Sequence, residues 1–494
     1  MNTLETLVPS MVELLAAENQ NFFHFASSQS PHLERASLYE TAAPSLSMET
    51  LFAIRQEKER ASGQEKLLLK LIEAAFLRFQ ERGKTLPHID NLLNALSISG
   101  IEFPTEKGNF WQAAATLREL EQGEGRQQIG VLVDRRASQS MDLCARILEG
   151  RLGLCEEQEW KDAQERCCVL WATPNPLSHA EVDSLLSLTN DSYRDLLSYF
   201  SQKLVGESPA TLKAVDLPRL LNSPAFDPIF SQGAMAMAPE RSLRRMELDL
   251  KAAGRVVSFS CGPKLPWGEA VTLPLDVPGK IVLLYSPQSG IQPFESYLRE
   301  MGQALYLSAL EESAPLSWRW FGDPILRIAY GHLWSLCLLD RNWLQRVLKA
   351  SRVKDLLMYT TFRILYRLRV WTGVFRFEAW LYPNGAPGRA YREWSEILRE
   401  TCQVEVGKFL YLQGICEDLP AVLSLEGISL AAQLGKYLRE NFNEDWFLNP
   451  KAGKFLRDLW HQGPLLSADG LWSLTGGPSS RTQSFLGLLE ETLK

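Results

Sequence analysis

Apolar side chains recur at helical spacing along most of this 494-residue chain. Over Leu67–Leu77, and again over Leu186–Phe200, they return every three or four residues, a period that places them on one face of an α-helix. The same period predicts further helices over 319–349, 353–371, 389–417, 421–441 and 450–460. The pattern therefore predicts a mainly α-helical protein with long helices.

The segment between Gly254 and Gly290 follows a different pattern. Short runs rich in β-branched and aromatic residues alternate there with glycine and proline turns, which is typical of strands. The runs are Val256–Ser260, Ala270–Leu273 and Lys280–Tyr285. We therefore expect a small antiparallel or mixed sheet of about three strands at 254–290, set between long helices.

A helix is expected directly after this sheet, over residues 293–311, because Pro293 suits a first helical turn. Its apolar stripe consists of Phe294, Tyr297, Leu298, Met301 and Leu305. Arg299 and Gln303 are one turn apart and therefore point together toward another face. Since burying an unpaired arginine is costly, we expect Arg299 to line a cleft and to meet a carboxylate, backbone carbonyls or solvent.

Residues 1–180 are expected to form a mostly helical lobe of their own. Within this lobe we predict a loop at Gly123–Gly130 and one strand at Ile129–Val133. The proline-bearing stretch Thr173–Ser178 is the expected joint to a second domain, residues 181–494. We therefore expect two lobes around a cleft.

Composition and charge narrow the range of partners. Hydrophobic residues make up 45% and charged residues 22% of the chain, which is typical of a globular protein and argues against disorder. The net charge of −7 argues against nucleic acid or an anionic membrane as a partner. The basic stretch Ala350–Phe377 also carries an apolar stripe, so we interpret it as a core helix with a solvated edge.

The sequence also lacks a candidate membrane span, the basic region of a signal peptide and closely paired cysteines, and these absences bear on localisation and redox state. No apolar run approaches the roughly 20 residues that a membrane span needs. The segment Met1–Leu15 lacks the basic region of a signal peptide. The eight cysteines form no C-x-x-C pair. We therefore expect a cytoplasmic protein with reduced thiols.

One string in the helix at 293–311 resembles a metallopeptidase motif. The string is Arg299-Glu300-Met301-Gly302-Gln303, followed by Ala304-Leu305-Tyr306. It is similar to the H-E-x-G-H-A-L-H string of the thimet-oligopeptidase-like and carboxypeptidase-Taq-like zinc peptidases, which are gluzincins. The residues that match are Glu300, Gly302, Ala304 and Leu305, and both histidines are replaced.

The likeness to these peptidases extends over about 180–494. Val277–Gly290 is similar to the strand and turn that lead into their motif helix, and Trp320–Asp323 is similar to the start of their next helix. Phe442–Phe447 and Ala452–Gly463 resemble their closing helices. The resemblance implies a mainly α, zincin-like α+β fold with two helical lobes and a small sheet before the degenerate motif helix.

In this family two histidines one helical turn apart bind zinc, and the glutamate between them is the general base. Here Arg299 and Gln303 stand at the histidine positions. The resemblance places the third ligand near Ile328, with Arg327 beside it. A guanidinium offers no lone pair to a metal and brings positive charge to its position. We therefore expect neither zinc nor another cofactor.

The resemblance implies a peptidase-like pseudoenzyme that has lost catalysis through zinc. Such a protein would bind a peptide or a protein segment in the vestigial cleft, along the edge of the sheet. Glu300 would be the vestigial general base. The cleft would be lined by Arg299, Gln303, Tyr306 and His332.

Two alternatives stay open at this point. A residual hydrolase would use Glu300 together with His332, or with Cys261 at the predicted end of a strand. A pure scaffold would have a collapsed cleft and no ligand. A lone histidine such as His332 is more often a hydrogen-bonded core residue than a ligand.

Overall fold

Long helices account for most of the computed structural model, which describes residues 2–98, 100–103, 107–250, 254–261, 265, 268–463 and 466–494. The elements before the central sheet are α1 (Asn2–Ala26), α2 (Ala36–Ala42), α3 (Met48–Arg60), α4 (Gly63–Ser97), β1 (Ile101–Glu102), β2 (Lys107–Gly108), α5 (Phe110–Glu119), α6 (Gly123–Ser138), α7 (Met141–Glu157), α8 (Ala163–Leu170), α9 (His179–Leu188), α10 (Asn190–Leu204), α11 (Leu217–Leu221) and α12 (Gln232–Arg245).

The elements from the sheet onward are β3 (Val256–Ser260), β4 (Val271–Asp276), β5 (Lys280–Tyr285), α13 (Ile291–Ala309), α14 (Leu316–Phe321), α15 (Pro324–Ser335), α16 (Arg341–Arg346), α17 (Val353–Asn384), α18 (Ala390–Cys402), α19 (Lys408–Cys416), α20 (Ala421–Phe442), α21 (Pro450–Gln462), α22 (Ala468–Leu474) and α23 (Gln483–Leu493). Short 3-10 turns lie at Ala214–Asp216, Pro224–Phe226, Leu336–Leu339, Pro387–Arg389 and Trp446–Leu448. The prediction of a mainly helical fold is confirmed.

The central sheet has three strands in the order β3–β5–β4. β3 runs parallel to β5, with Val256 opposite Ile281, and β4 runs antiparallel to β5, with Thr272 opposite Leu283. The predicted mixed sheet is therefore confirmed. The second of these strands along the chain, β4, extends to Asp276, beyond the predicted end at Leu273.

The helix that follows the sheet is α13, which begins two residues before the predicted start at Pro293. Gly290 precedes it with φ +131°, a conformation that favours glycine, and its N–H donates to the carbonyl of Phe230. The predicted apolar stripe is buried, including Phe294, Leu298 and Met301. The helical period alone was therefore sufficient to assign the core face of α13.

Helices α13 and α15 cross at two glycines. A Cβ added to Gly302 would lie 2.4 Å from the carbonyl oxygen of Tyr330, and one added to Gly331 would lie 2.8 Å from that of Arg299. Because only hydrogen fits at either position, the two backbones approach closely. This crossing brings the side chains around Arg299 next to those of α15.

Some predicted boundaries were wrong. The loop predicted at Gly123–Gly130 and the strand predicted at Ile129–Val133 are parts of one helix, α6. Ile129 and Val133 are one helical turn apart and both are buried, so a short apolar run that suits a strand forms a helical core face instead. Gly130 packs closely against Val215, a contact that the local sequence does not reveal.

Three long helices also differ from prediction. The segment predicted as one helix at 319–349 is broken because Asp323 and Asp340 each accept a backbone N–H and cap a new helix. The segment predicted at 389–417 ends at Gln403, whose φ is +56°, and restarts at α19. α17 runs to Asn384, beyond the predicted end at residue 371.

Residues of the first 180 positions contact later elements at several points. The Asn19 amide of α1 donates to the Pro274 carbonyl of β4 at 2.8 Å, and the rings of Phe79 and Phe321 lie 6.2 Å apart. Arg118 forms an ion pair with Asp227. In the described part of the chain, no helix is both long enough and apolar enough to cross a bilayer.

Candidate functional site

Arg299 lies on the polar flank of α13 and pairs with two carboxylates. Its Nη2 donates to Oε2 of Glu269 at 2.8 Å, and its Nε donates to Oε1 of Glu300 at 3.1 Å. Glu269 lies just before β4, thirty positions earlier in the chain. Of the partners expected for Arg299, the structure has carboxylates, and one of them, Glu269, comes from the sheet region.

Both oxygens of the Glu300 carboxylate accept hydrogen bonds from the protein. Oε1 accepts hydrogen bonds from Arg299 and from Nε2 of Gln303 at 3.0 Å, and Oε2 accepts the backbone N–H of Thr272 at 3.0 Å. The Thr272 hydroxyl also donates to the Glu300 carbonyl at 2.8 Å. Glu300 is buried, so its carboxylate is held by fixed protein donors on both oxygens.

Arg327 of α15 completes this network. Its Nε donates to Oε1 of Gln303 at 2.6 Å, and its Nη2 donates to the Thr272 carbonyl at 3.2 Å. The side chains of Glu269, Arg299, Glu300, Gln303 and Arg327 thus form one continuous set of hydrogen bonds, which we call the polar network. Its two guanidinium groups and two carboxylates balance in charge.

The expectation that Ile328 faces the motif helix was wrong. Ile328 packs toward α20, where a Cβ on Gly427 would lie 2.3 Å from its Cγ2. Arg327, one residue earlier on α15, is the side chain that reaches Gln303. One position corresponds to about 100° around a helix, so a shift of one residue exchanges the face.

The charges in the polar network stabilise one another. Burial acts to raise the pKa of Glu269, but Arg299 outweighs burial and lowers it. Burial acts to lower the pKa of Arg299, but Glu269 and Glu300 outweigh burial and raise it. Arg299 therefore stays protonated and cannot act as a base or as a metal ligand.

The groups of the polar network do not fit a zinc ion. A zinc site needs three protein donors with free lone pairs. Of the five side chains, Glu300 is the one whose carboxylate contacts both Arg299 and Gln303, the positions that correspond to the two histidines in the resemblance. Three of its roughly four lone pairs already accept from Arg299, Gln303 and Thr272. Among the described residues, no three His, Cys, Asp or Glu side chains are grouped so that they could hold a metal ion.

The outer edge of β4 is closed by side chains. The Ala270 N–H donates to Ser296 Oγ at 2.8 Å, while the N–H and C=O of Thr272 bond to Glu300 and Arg327. The Pro274 carbonyl accepts from Asn19. A peptide cannot add to this edge without displacing these bonds. The expected binding along a sheet edge is therefore blocked at β4.

His332 and Tyr306 lie outside the polar network. His332 is 2% exposed, and its Nδ1 lies 3.2 Å from Ser335 Oγ while its ring packs edge-on against Trp371. Burial, together with Arg299 and Arg367, lowers the pKa of His332 well below its usual value. Tyr306 is buried with its ring 4.9 Å from that of Tyr330.

Cys261 lies at the end of β3, as predicted, and is buried. Burial raises the pKa of its thiol to about 11, so the thiol is protonated near neutral pH. The structure brings neither His332 nor another titratable partner into hydrogen-bond contact with it among the described residues. A nucleophilic cysteine is not supported here.

A second buried charge cluster lies one turn earlier on α13, and the sequence analysis missed it. Glu295 pairs with Arg363 at 2.6 Å and with Arg367, both from α17. Burial acts to raise the pKa of Glu295, but Arg367 and Arg363 outweigh burial and hold it well below its usual range. The signal in the sequence is the Arg363–Arg367 spacing of one turn, which indicates a shared partner.

A separate cavity has a volume of about 870 Å³. Its walls are α5, α6, the segment 213–218, the residues after β5, the first turn of α13 and the start of α19. The five side chains of the polar network do not line it, but Gly268, which precedes Glu269 in the chain, does. The cavity therefore lies between N-terminal helices and the sheet-bearing region.

Comparison with solved structures identifies the architecture. The chain is similar to PZ peptidase A solved with an inhibitor, at TM-score 0.63 and 12% identity over 87% of this chain and 80% of that one. It is similar to two proteins described as oligoendopeptidase F. The first has TM-score 0.64 and 12% identity over 96% of this chain and 85% of that one. The second, from Bacillus anthracis str. Ames, has TM-score 0.58 and 12% identity over 87% and 77%.

The fold is that of the oligoendopeptidases. At 12% identity these proteins are similar to this chain in fold alone, so their functional sites cannot be assigned to it on that ground. No protein-family model matches the sequence, and no curated protein matches it. The chemistry of this oligoendopeptidase-like chain therefore has to be inferred from its own residues.

Proposed function

We propose that this protein is a non-catalytic relative of metallo-oligopeptidases that binds a peptide or a protein segment. The observation that carries the proposal is the engagement of Glu300, whose two carboxylate oxygens accept from Arg299, Gln303 and Thr272. A general base needs a free lone pair directed at water or substrate. Here both Oε1 positions and one Oε2 position of Glu300 are occupied by protein donors, which hold the carboxylate as a structural ion-pair partner.

The replaced histidines support the same conclusion. Arg299 and Gln303 are joined to Glu269 and Arg327, so the positions that would hold a metal are connected by hydrogen bonds between side chains. Introducing zinc would require breaking these bonds and bringing a dication close to two guanidinium groups. The fold is retained while the donor set is incompatible with the ion.

Peptide binding is supported by the cavity described above. A volume of about 870 Å³ falls within the usual range for ligand sites, which is about 300–1,000 Å³. N-terminal helices and the sheet-bearing region both line the cavity, as expected for a site that receives an extended ligand. This supports a binding protein over a scaffold with a collapsed cleft.

The proposal is tested with the purified full-length chain. We expect no cleavage of internally quenched peptides of mixed sequence, zinc content well below one ion per chain after dialysis, and measurable binding of labelled peptides by fluorescence anisotropy. An active oligoendopeptidase F serves as the positive control for cleavage. Stoichiometric zinc together with turnover that chelators abolish would contradict the non-catalytic reading.

A further inference from the structure

The charged side chains that line the cavity are largely paired with one another. Lys408 contacts both carboxylate oxygens of Asp134 at 2.8 and 2.9 Å, and Lys213 lies 3.6 Å from Glu405. Arg118 is held by Asp227, as described above. Among the described lining residues the remaining charged one is Arg135, which is exposed. The described part of the wall therefore presents little unbalanced charge to a ligand.

Two neutral polar groups of the wall have no hydrogen-bond partner among the described residues. Tyr366 of α17 is 6% exposed and lines the cavity, and no hydrogen bond joins its hydroxyl to a described residue. Burial raises its pKa well above the usual value, so the hydroxyl stays protonated and can donate. The side-chain amide of Gln292 also lines the cavity without a partner among described residues.

The Tyr366 hydroxyl faces the cavity without a described protein partner, so it is available to bond to water or to a ligand there. Tyr366 supplies one donor, and Gln292 supplies a donor and an acceptor, which matches the alternating N–H and C=O groups of a peptide main chain. Trp111 and Tyr391 add aromatic surface to the same wall. Neutral hydrogen-bonding groups beside aromatic rings suit an uncharged peptide segment.

We propose that the cavity binds an extended peptide segment with uncharged side chains, and that Tyr366 donates a hydrogen bond to its main chain. This inference rests on the proposed function and specifies the ligand class. A charged side chain would lose its hydration and find the wall charges already paired, so it is disfavoured. The affinity therefore depends little on ionic strength.

The test measures anisotropy of labelled peptides composed of Gly, Ala, Ser, Asn and Gln against versions carrying Asp and Glu or Lys and Arg. We expect the uncharged peptides to bind at least about tenfold more tightly, with little change between low and high salt. Tyr366→Phe should weaken their binding about 3- to 10-fold, the loss expected for one hydrogen bond. Tyr330→Phe is the matched control, because Tyr330 is buried beside Tyr306 and Trp460, away from the cavity.

A second variant keeps the inference testable if Tyr366→Phe folds poorly. Gln292→Glu places an unpaired negative charge on the wall, so binding should shift toward Lys-containing peptides. Peptide binding that is equally strong for charged sequences, or unaffected by both changes in folded protein, would overturn this inference alone. Failure of every peptide to bind would overturn the proposed function as well.

Discussion

Arg327 Nε donates a hydrogen bond to Gln303 Oε1 at 2.6 Å and so joins α15 to α13. In a gluzincin-like motif these two helices are joined through a metal, whereas here a guanidinium and an amide make the link directly. The same Gln303 bonds to Glu300, which bonds to Arg299. The polar network therefore completes the helix crossing with hydrogen bonds alone.

Restoring a metal site should require Arg327 in addition to the two motif positions. We expect the double variant Arg299→His, Gln303→His to bind no stoichiometric zinc, because Arg327 remains beside the new imidazoles. The triple variant that adds Arg327→Glu supplies three ligands and should bind about one zinc per chain. Elemental analysis after dialysis is the measurement.

The matched control for this prediction adds Ile328→Glu in place of Arg327→Glu. Ile328 packs against Gly427, so a glutamate there faces α20 and leaves the site with two ligands. This control should bind no zinc and should lower the unfolding temperature, since it places a carboxylate against a tight helix contact. Zinc binding by the Ile328→Glu triple variant would show that the assigned helix face is incorrect.

We expect Glu300 to stabilise the folded protein rather than to act in a reaction. In Glu300→Gln the partly buried guanidinium of Arg299 loses one of its two carboxylates, and we expect a loss of about 1–3 kcal/mol in the free energy of unfolding. Glu312→Gln is the control, because Glu312 pairs with Arg255 at an exposed site and should cost at most about 0.5 kcal/mol. Urea denaturation of both variants measures this difference in stability. Equal unfolding midpoints for the two variants would argue against a structural role of Glu300.

The glycine crossing should tolerate no side chain. In Gly302→Ala the new Cβ meets the Tyr330 carbonyl and the Trp334 ring at 2.4 and 2.6 Å, so the helices must separate. We expect a destabilisation of about 1–3 kcal/mol or more, measured by urea denaturation. Gly414→Ala is the control in α19, with no atom within 4 Å of the new methyl group, and should be neutral or stabilising by up to about 1 kcal/mol.

Glu426 should make stability fall as the pH rises. It is buried in α20, where Oε1 accepts the Leu177 N–H at 2.6 Å and Oε2 lies 3.6 Å from Arg481. Burial raises its pKa from 4.5 to about 7, so the folded state favours the protonated carboxyl. The favourable contribution is complete below the unfolded pKa and is lost as the pH rises through about 7.

The variant Glu426→Gln removes this titration while keeping an acceptor for Leu177. We expect it to match the parent near pH 5 and to exceed its free energy of unfolding near pH 8, by on the order of 2–3 kcal/mol. Denaturant titrations at both pH values measure the difference. A constant difference between the two proteins at both pH values would contradict the assigned titration.

The sequence by itself determined the elements whose signal is local. Periodic apolar positions placed the core face of α13 on Phe294, Leu298 and Met301, and the alternation of β-rich runs with turns placed the three strands. The presence of arginine and glutamine at positions 299 and 303, one helical turn apart, is also a property of the sequence. Each of these follows from residue type and spacing, which tertiary contacts do not alter.

The tertiary structure decided which side chains meet. Local periodicity assigned a core face to each helix, but the rotation of α15 against Gly427 directed Arg327, rather than Ile328, toward Gln303. The second partner of Arg299, Glu269, lies thirty positions away and could be identified only from the chain's path through β4. The close contact of Gly130 in α6 with Val215 is likewise a tertiary feature that the local sequence does not reveal. The physical reason is that spacing specifies a face, whereas the contact made by that face depends on distant residues.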